Sequence, residues 1–271
     1  MMEALILDVD GTLAETERDG HRVAFNRAFA EFGLDWYWDV STYGKLLMVA
    51  GGKERIHHYI RVWRPAMPMY RDLDEFIVNL HRCKTGHYGE MIDTGKLPAR
   101  AGVLRLIDEA RARGIRLGLA STTSPQNIEA LLRSWYGQRW ASMFAAVGAG
   151  DVVPRKKPDP GIYQYVLEQM GVAPERCVAI EDSAAGLAAA NGAGVEVVVV
   201  RSEYFRHQSF EGALAVLDEL GEPGHPGQGV VRGEVWTGVV TIDALDGWLR
   251  QRRETQAPAQ APGPGAQTTA G

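Results

Sequence analysis

The sequence predicts an α/β protein with a Rossmann-like parallel sheet as its core and an α-helical domain inserted into it. Short apolar segments alternate with segments of helical spacing along most of the chain, which is typical of parallel strands connected by helices. The apolar segments are continuous rather than alternating, as expected for strands covered on both faces. One interval, residues 16–96, contains helical patterns but no convincing strand, and this indicates an inserted helical domain.

Five segments rich in Val, Ile, Leu and Ala are predicted to be buried strands: residues 4–9, 116–120, 144–147, 177–180 and 195–200. Helical spacing is found between the later strands, in residues 103–113, 125–134, 160–170 and 184–191. Gly114, Gly171 and Gly192 stand after three of these helical segments, where helices commonly end in a left-handed glycine.

The inserted interval is predicted to hold four helices, at residues 21–32, 41–49, 53–63 and 73–88. We therefore expect a core domain of residues 1–15 and 97–252 and a helical domain of residues 16–96. The alternative is that these helices simply pack on the sheet.

The pattern weakens beyond residue 202. The Gly- and Pro-rich residues 221–233 suggest an irregular excursion, residues 235–242 a strand and residues 244–252 a final helix. Residues 253–271 contain too few apolar side chains to fold, and we expect a disordered tail there.

Composition excludes several classes of protein. The chain has 271 residues, 45% of them hydrophobic, so it can bury a substantial core. Its net charge of −5 argues against a nucleic-acid-binding protein, and no apolar run is long enough to cross a membrane. The N-terminus does not resemble a leader sequence, and we expect a cytoplasmic protein. Cys83 and Cys177 fit no metal-ligand spacing, so we expect both to be free thiols. We also expect the protein to be a monomer.

Acidic, hydroxyl and basic side chains follow four of the predicted strands. Because the carboxyl ends of parallel strands meet at one edge of a sheet, we expect these side chains to converge there. In strand order they are Asp8, Asp10 and Thr12, then Ser121, Thr122 and Thr123, then Lys157, then Glu181 and Asp182.

The convergence of four acids requires compensation. At an effective dielectric constant of 20, each pair of carboxylates about 4 Å apart repels by about 4 kcal/mol. Mg²⁺ bound by Asp8, Asp10, Glu181 and Asp182, together with Lys157, would remove much of this repulsion. An anionic substrate would complete the charge balance. Ser124 and Pro125 are predicted to begin a helix beside Ser121, and the hydroxyl and backbone N–H groups there suit a phosphate.

Four motifs in order resemble those of the haloacid dehalogenase superfamily of phosphohydrolases. They are DVDGT at residues 8–12, LGLAS ending at Ser121, KKP containing Lys157, and IEDS containing Glu181 and Asp182. The resemblance implies that Asp8 is a nucleophile forming an aspartyl-phosphate and that Asp10 is the general acid and base. It further implies that Ser121 and Lys157 bind the transferring phosphoryl group. Mg²⁺ would be held by Asp8, Glu181, Asp182 and the backbone carbonyl of Asp10.

The helical domain resembles the four-helix cap of the phosphatase and phosphoglucomutase branch of this superfamily, and residues 16–96 are called the cap below. Two features of the cap and one residue of the hinge stand out as candidate substrate contacts. Gly51 and Gly52 allow backbone N–H groups to approach an anion beside Lys53. His81 and Lys84 share one helical face. Glu15 in the hinge could bind a sugar hydroxyl. The alternatives are an ordinary turn between helices and an exposed basic face.

A second basic cluster favours a bisphosphate, because one phosphate is already bound at the sheet. The segments DVDGTLAETE, GGKERI, HRCK, STTSPQN and SEYFRHQSFEGA resemble the CbbY-type subfamily over residues 3–215. That resemblance implies hydrolysis of xylulose 1,5-bisphosphate, an inhibitor of Rubisco, to xylulose 5-phosphate. It also implies that these residues contact substrate: Glu15, Tyr43, Gly51, Gly52, Lys53, His81, Lys84, Ser121, Thr122, Thr123, Asn127 and Lys157.

Three other functions stay open at this point. A broad-specificity sugar-phosphate phosphatase would use the same core chemistry. A β-phosphoglucomutase-like phosphomutase would return the phosphoryl group to a second hydroxyl, and His21 could then be an acid or base rather than part of the first turn of a cap helix. A silent binding protein would be expected to lack the nucleophile or the metal acids, and here they are all present.

Overall fold

A computed structural model describes residues 1–49, 51–69, 71–95 and 97–256. The core is one eight-stranded sheet. The strands are β1 Ala4–Leu7, β2 Arg116–Ala120, β3 Ala146–Gly148, β4 Cys177–Glu181, β5 Glu196–Val200, β6 Ala215–Leu217, β7 Gly227–Val231 and β8 Glu234–Gly238. Their order is β3-β2-β1-β4-β5-β6-β7-β8, and the first six pair in parallel. The predicted α/β class with a Rossmann-like parallel core is therefore confirmed.

Strand β1 lies at the centre of the parallel part and pairs with β2 on one side and β4 on the other. Its residues are fully buried because helices cover both faces of the sheet. Among the described residues, the α-helices of the core are α5 Val103–Ala112, α6 Pro125–Tyr136, α7 Gly161–Met170, α8 Ala184–Gly192 and α9 Ile242–Gln256. Since β2, β1 and β4 run in parallel, the segments that follow them meet at one edge.

The Gly- and Pro-rich residues 221–233 are not the irregular excursion that we predicted. They contain β7, which pairs antiparallel with β6 and with β8. Glycine is required inside this strand because a Cβ atom at Gly229 would lie 2.2 Å from the carbonyl oxygen of Val216. The composition resembles a loop, but the small residues permit a close approach of backbones.

Most predicted helix ends are confirmed. Gly114 and Gly171 have positive φ angles, whereas Gly192 is the last residue of α8 and the left-handed residue is Gly194. The prediction for Gly192 was wrong by two positions. Helix α9 continues to Gln256, past the predicted start of the tail, and the rest of that tail, residues 257–271, lies outside the described residues.

The cap contains four helices: α1 Arg22–Glu31, α2 Val40–Leu46, α3 Gly52–Trp63 and α4 Leu73–Asp93. A π-helical turn, Thr16–His21, leads from the core into α1. The cap helices bury an aromatic cluster of their own, in which Trp38 contacts Phe25, Phe29, Tyr43 and Tyr59. The C-terminal part of α4 packs with the sheet cluster, and the predicted domain boundary at residue 96 falls on a residue outside the description.

Candidate active site

The turn after β1 brings Asp8 to the carboxyl edge of the sheet. Asp8 is buried, and its N–H donates to the carbonyl oxygen of Ile180 on β4 at 3.1 Å. The turn closes at Gly11, whose φ of +84° is strained for any other residue. A Cβ atom there would lie 1.9 Å from an oxygen of Asp182, so this glycine also makes room for the neighbouring carboxylate.

Lys157 joins the acids that follow β1 and β4. Its Nζ donates to Asp8 Oδ1 at 2.6 Å and to Glu181 Oε1 at 2.5 Å, and all three side chains are buried. Burial opposes the charge of Lys157, but Asp8 and Glu181 outweigh it and raise the pKa of the ammonium group. Lys156, the neighbouring lysine, binds the carboxylate of Asp151 at 2.7 Å instead.

Three buried carboxylates form a compact group of oxygen donors. Ligand oxygens of Asp8, Glu181 and Asp182 lie within 4.8 Å of one another. Burial raises the pKa of Glu181 to about 7, and it raises that of Asp182 well above its ordinary value, with repulsion from Asp8 adding to both. One oxygen of Asp182 is buried and has no hydrogen-bond partner. Hard oxygen donors with an unsatisfied buried oxygen fit a divalent cation such as Mg²⁺.

Asp10 contributes no side-chain oxygen to that group. Burial, followed by the negative charges of Asp8 and Glu17, raises the pKa of Asp10 to about 6. Asp10 therefore exchanges a proton near neutral pH, which is the property required of a general acid and base.

The segment after β2 supplies hydroxyl groups. Ser121 is buried, and its Oγ accepts from the N–H of Thr123 at 3.3 Å. Ser124 begins α6 as predicted, because its Oγ accepts from the N–H of Asn127 at 3.2 Å. The side-chain amide of Asn127 donates to Thr123 Oγ1, so it stabilises the loop.

A cavity of about 360 Å³ lies between the core and the cap. Of the predicted site residues, these line it: Asp8, Asp10, Glu15, Ser121, Thr122, Lys157 and Asp182. The cap side is formed by Glu17, Leu47 and Arg55, and the loop after β5 contributes Ser202, Tyr204 and Phe205. The cavity is thus bounded by the core acids on one side and, on the other, by a cap arginine that lies 3.9 Å from the carboxylate of Glu17.

Arg55 is the cap residue that sequence reasoning missed. It is buried, and it donates to the hydroxyl of Tyr43 at 2.7 Å and to the carbonyl oxygen of Leu46 at 3.2 Å. Tyr43 in turn donates to Glu17 at 2.5 Å, so Tyr43 orients Arg55 and does not itself line the cavity. The available signal was spacing, because Arg55 lies one turn before the buried Tyr59 on the apolar face of α3.

The other predicted cap residues lie away from the cavity wall. Lys53 is exposed, and Gly52 packs against His81, where a Cβ atom would lie 2.3 Å from the imidazole Nε2. Gly51 has a φ of +89° and serves the turn before α3.

Lys84 lies behind the cavity wall. It is buried between the rings of Phe25 and Tyr88, and its Nζ contacts His21 Nδ1 at 2.8 Å. Burial lowers the pKa of Lys84 to about 8, and burial together with the charge of Lys84 lowers that of His21 well below 6.5, so the imidazole is neutral. His21 stands at the start of α1, as we expected for a residue in the first turn of a cap helix.

Arg100 ties the hinge to the site, and no sequence motif indicated it. Its guanidinium donates to the carbonyl oxygens of Gly11, Val200, Arg201 and Asp218. It also lies 3.9 Å from Glu15, whose carboxylate accepts from the N–H of Glu203 at 3.2 Å. One partly buried cation thus connects the turn after β1, the hinge and the loop after β5.

Comparisons with known proteins identify the family. A family profile for haloacid dehalogenase-like hydrolases matches residues 2–194, and the chain belongs to that family. Among its relatives are CbbY proteins: the plasmid-encoded CbbY of Cupriavidus necator is 48% identical over 83% of this chain and 88% of its own length. A CBBY-like protein of Arabidopsis thaliana is 43% identical over 81% of this chain and 70% of its own.

A solved structure supports the same assignment. A mutant CbbY from Rhodobacter sphaeroides, in complex with xylulose 1,5-bisphosphate, superposes with a TM-score of 0.68 at 44% identity, covering 83% of this chain and 97% of that one. A phosphorylated-carbohydrate phosphatase of Thermotoga maritima is 30% identical over 72% of this chain and 83% of its own length, and with the family it shows that this chain is a phosphatase. Within the described ranges, no helix is long and apolar enough to cross a membrane.

Substitution of Gly186 tests whether the position of the Glu181 carboxylate depends on the space beside helix α8. A Cβ atom at Gly186 would lie 1.9 Å from Glu181 Oε2, so Gly186→Ala must displace a carboxylate that binds Lys157 and Tyr163. We expect the free energy of unfolding to fall by about 3–5 kcal/mol, the typical cost of breaking a buried ion pair. Gly247→Ala is the matched control, since Gly247 is also helical but has open space around it.

Denaturant unfolding of both variants measures this difference. Gly247→Ala is expected to be neutral or to stabilise by up to about 1 kcal/mol, because alanine is the better helix former. Equal effects of the two substitutions would show that the space beside Glu181 does not matter.

Proposed function

We propose that the protein is a Mg²⁺-dependent phosphatase that hydrolyses xylulose 1,5-bisphosphate to xylulose 5-phosphate and phosphate through an aspartyl-phosphate on Asp8. The observation that carries the proposal is the presence of two carboxyl groups in different surroundings at one edge of the sheet. The ammonium of Lys157 donates to Asp8 Oδ1 at 2.6 Å, while burial raises the pKa of Asp10, two residues further along the chain, to about 6. A nucleophile and a proton donor are thus present together at one edge of the sheet.

Mg²⁺ fits the chemistry of the donor group. Asp8, Asp182 and Glu181 would hold it directly or through water, together with the backbone carbonyl of Asp10. When bound, the ion would lower the charge on the phosphate oxygens and screen the repulsion between substrate and acids.

The first half of the reaction transfers the phosphoryl group to the enzyme. An oxygen of Asp8 attacks phosphorus and forms a P–O bond, while the bond from phosphorus to the sugar oxygen breaks. Asp10 donates its proton to that sugar oxygen, which leaves as an alcohol.

The second half releases phosphate. Asp10, now a carboxylate, takes a proton from water, and the resulting hydroxide attacks the phosphorus of the aspartyl-phosphate. The bond to Asp8 breaks and the carboxylate is restored. Ser121 and the ammonium of Lys157, which line the cavity with Asp8, stabilise the charge on the transferring group throughout.

Arg55 is proposed to bind the second phosphate of the substrate. It is the buried cation on the cap side of the cavity, opposite the acids of the core. Its guanidinium is already oriented by Tyr43 and Leu46, which reduces the entropic cost of binding a phosphate. The bisphosphate in the related CbbY complex supports a ligand with two phosphates. Removal of a Rubisco inhibitor, a monomeric state and a cytoplasmic location belong to the same proposal.

Asp8→Asn is expected to reduce turnover by a factor of roughly 10⁴ or more, because an amide is a poor nucleophile. Phosphate release measures the rate, and circular dichroism confirms that the variant is folded. Asp151→Asn, at a fully exposed side chain on the same edge, is the control and should retain full activity. Substantial phosphatase activity in Asp8→Asn would exclude the covalent mechanism.

A substrate panel tests the bisphosphate, measured with Mg²⁺ and with EDTA. It contains xylulose 1,5-bisphosphate, ribulose 1,5-bisphosphate, sugar monophosphates and β-glucose 1-phosphate. We expect a strong preference for xylulose 1,5-bisphosphate and no activity with EDTA. Arg55→Met should raise KM at least about tenfold for the bisphosphate, the loss expected for a buried charged hydrogen bond, with little change for monophosphates. Arg61→Met, at an exposed arginine of the same helix, is the control.

The other outcomes of the panel separate the competing functions. Equal activity on monophosphates, unchanged by Arg55→Met, would show a broad-specificity phosphatase. Conversion of β-glucose 1-phosphate into an isomer without phosphate release would show a phosphomutase.

Lys84 gives the site a predicted pH dependence. The ammonium has a pKa of about 8, lowered mainly by burial, so its charge is present below that pH and is lost as the pH rises through it. Since the cavity binds an anion, kcat/KM should fall above pH 8. Lys84→Arg keeps the charge and should move this fall to higher pH. An identical profile in Lys84→Arg would assign the fall to another group.

A further inference from the structure

A second cluster of metal-ligating side chains lies on the cap, away from the cavity. Ligand atoms of Glu31, Cys83 and His87 lie within 4.8 Å of one another. Cys83 and His87 are one turn apart on α4, and Glu31 is the last residue of α1. We propose that these three side chains bind a thiophilic divalent cation of the Zn²⁺ type, which links α1 to α4.

The distances suit a tetrahedral ion. Zn²⁺ binds sulfur, nitrogen and oxygen donors at about 2.0–2.3 Å, which places the donors about 3.5 Å from one another. The Glu31 Oε2 and His87 Nε2 atoms are 2.8 Å apart, so they must separate slightly, and the other donor pairs must close by no more than about 1.3 Å from their 4.8 Å limit. Rotations of side chains on adjacent helices suffice for such movements, and water can supply the fourth ligand.

Glu90 supplies the second observation. One of its carboxylate oxygens lies 3.8 Å from His87 Nδ1, the nitrogen that does not face Glu31. At 3.8 Å this is an ion-pair contact and not a hydrogen bond, but a carboxylate on the far side of a metal-bound imidazole is a usual arrangement. The cluster therefore holds a thiol, an imidazole and a carboxylate, with a second carboxylate behind the imidazole.

The chemistry of this cluster differs from that of the acids at the sheet edge. A thiolate and an imidazole select borderline ions such as Zn²⁺, whereas the three carboxylates of Asp8, Glu181 and Asp182 select hard ions such as Mg²⁺. On binding, the Cys83 thiol loses its proton to solvent and a sulfur–metal bond forms. Excess Mg²⁺ should therefore not compete for the cap cluster.

The test titrates the full chain with Co²⁺, a spectroscopic substitute for Zn²⁺, in the presence of excess Mg²⁺ and a reductant that contains no thiol. We expect a thiolate-to-cobalt charge-transfer band that added Zn²⁺ removes. Cys83→Ser should abolish the band, while His87→Ala and Glu31→Ala should weaken Co²⁺ binding at least about tenfold. His57→Ala, at a half-exposed histidine of α3, is the control and should leave binding unchanged.

Two further variants test whether the charge-transfer band arises from Cys83 and whether Glu90 supports the site. Cys177→Ala leaves Cys83 as the only thiol of the chain and should retain the band, and Glu90→Gln should weaken binding about tenfold through the histidine. Absence of a thiolate band in the unaltered protein, or its persistence in Cys83→Ser, would overturn the proposal. Co²⁺ binding without a thiolate band would place the ion at the oxygen cluster only, and it would overturn the proposal as well.

Discussion

The ion triad of Asp8, Lys157 and Glu181 is the interaction on which the site depends. Each of these side chains would be costly to bury alone, and each is satisfied by the others at 2.5–2.6 Å. Asp182 adds a third carboxylate to the same group, so one ammonium faces three carboxylates and two negative charges remain. Burial, with repulsion from Asp8 added, raises the pKa values of Glu181 and Asp182, and a divalent cation held by these oxygens, as proposed, would offset the remaining negative charge.

The fold supplies this triad by placing strand ends side by side. Asp8 follows the central strand β1, and Glu181 ends its neighbour β4. The cap enters directly after the same turn, so the hinge and the acids share one short segment. Arg100 joins the carbonyl of Gly11 in that turn to the loop after β5, and Glu15 accepts a hydrogen bond from the N–H of Glu203 in that loop. These contacts hold the segment that leads into the cap against the loop after β5, beside the turn that carries Asp8.

Prediction from sequence succeeds where local pattern decides the structure. Continuous apolar runs correctly predicted the strands that precede Asp8 and Ser121 and the strand that ends at Glu181. Such runs are typical of strands that are covered on both faces. It failed for β7, where glycines needed for close backbone contact look like a loop. It also missed Arg55 and Arg100, whose partners are carbonyls and side chains of other segments. Such contacts depend on tertiary packing: spacing could place Arg55 on the apolar face of its helix, but it could not show what Arg55 or Arg100 contacts.

The core and the cap contribute buried charges of opposite sign. The core gathers carboxylates and leaves negative charge that a metal ion can balance, whereas the cap buries the cations Arg55 and Lys84 against aromatic rings. A buried cation next to a ring remains charged at lower cost than one in aliphatic surroundings, because the ring face attracts it. Under the proposed function, an anionic substrate between the sheet edge and the cap would meet oxygen donors that fit a divalent cation on one side and the guanidinium of Arg55 on the other. The cap cations are already buried in the folded protein before the substrate binds. Their desolvation therefore lowers the free energy of unfolding and not the affinity for the substrate.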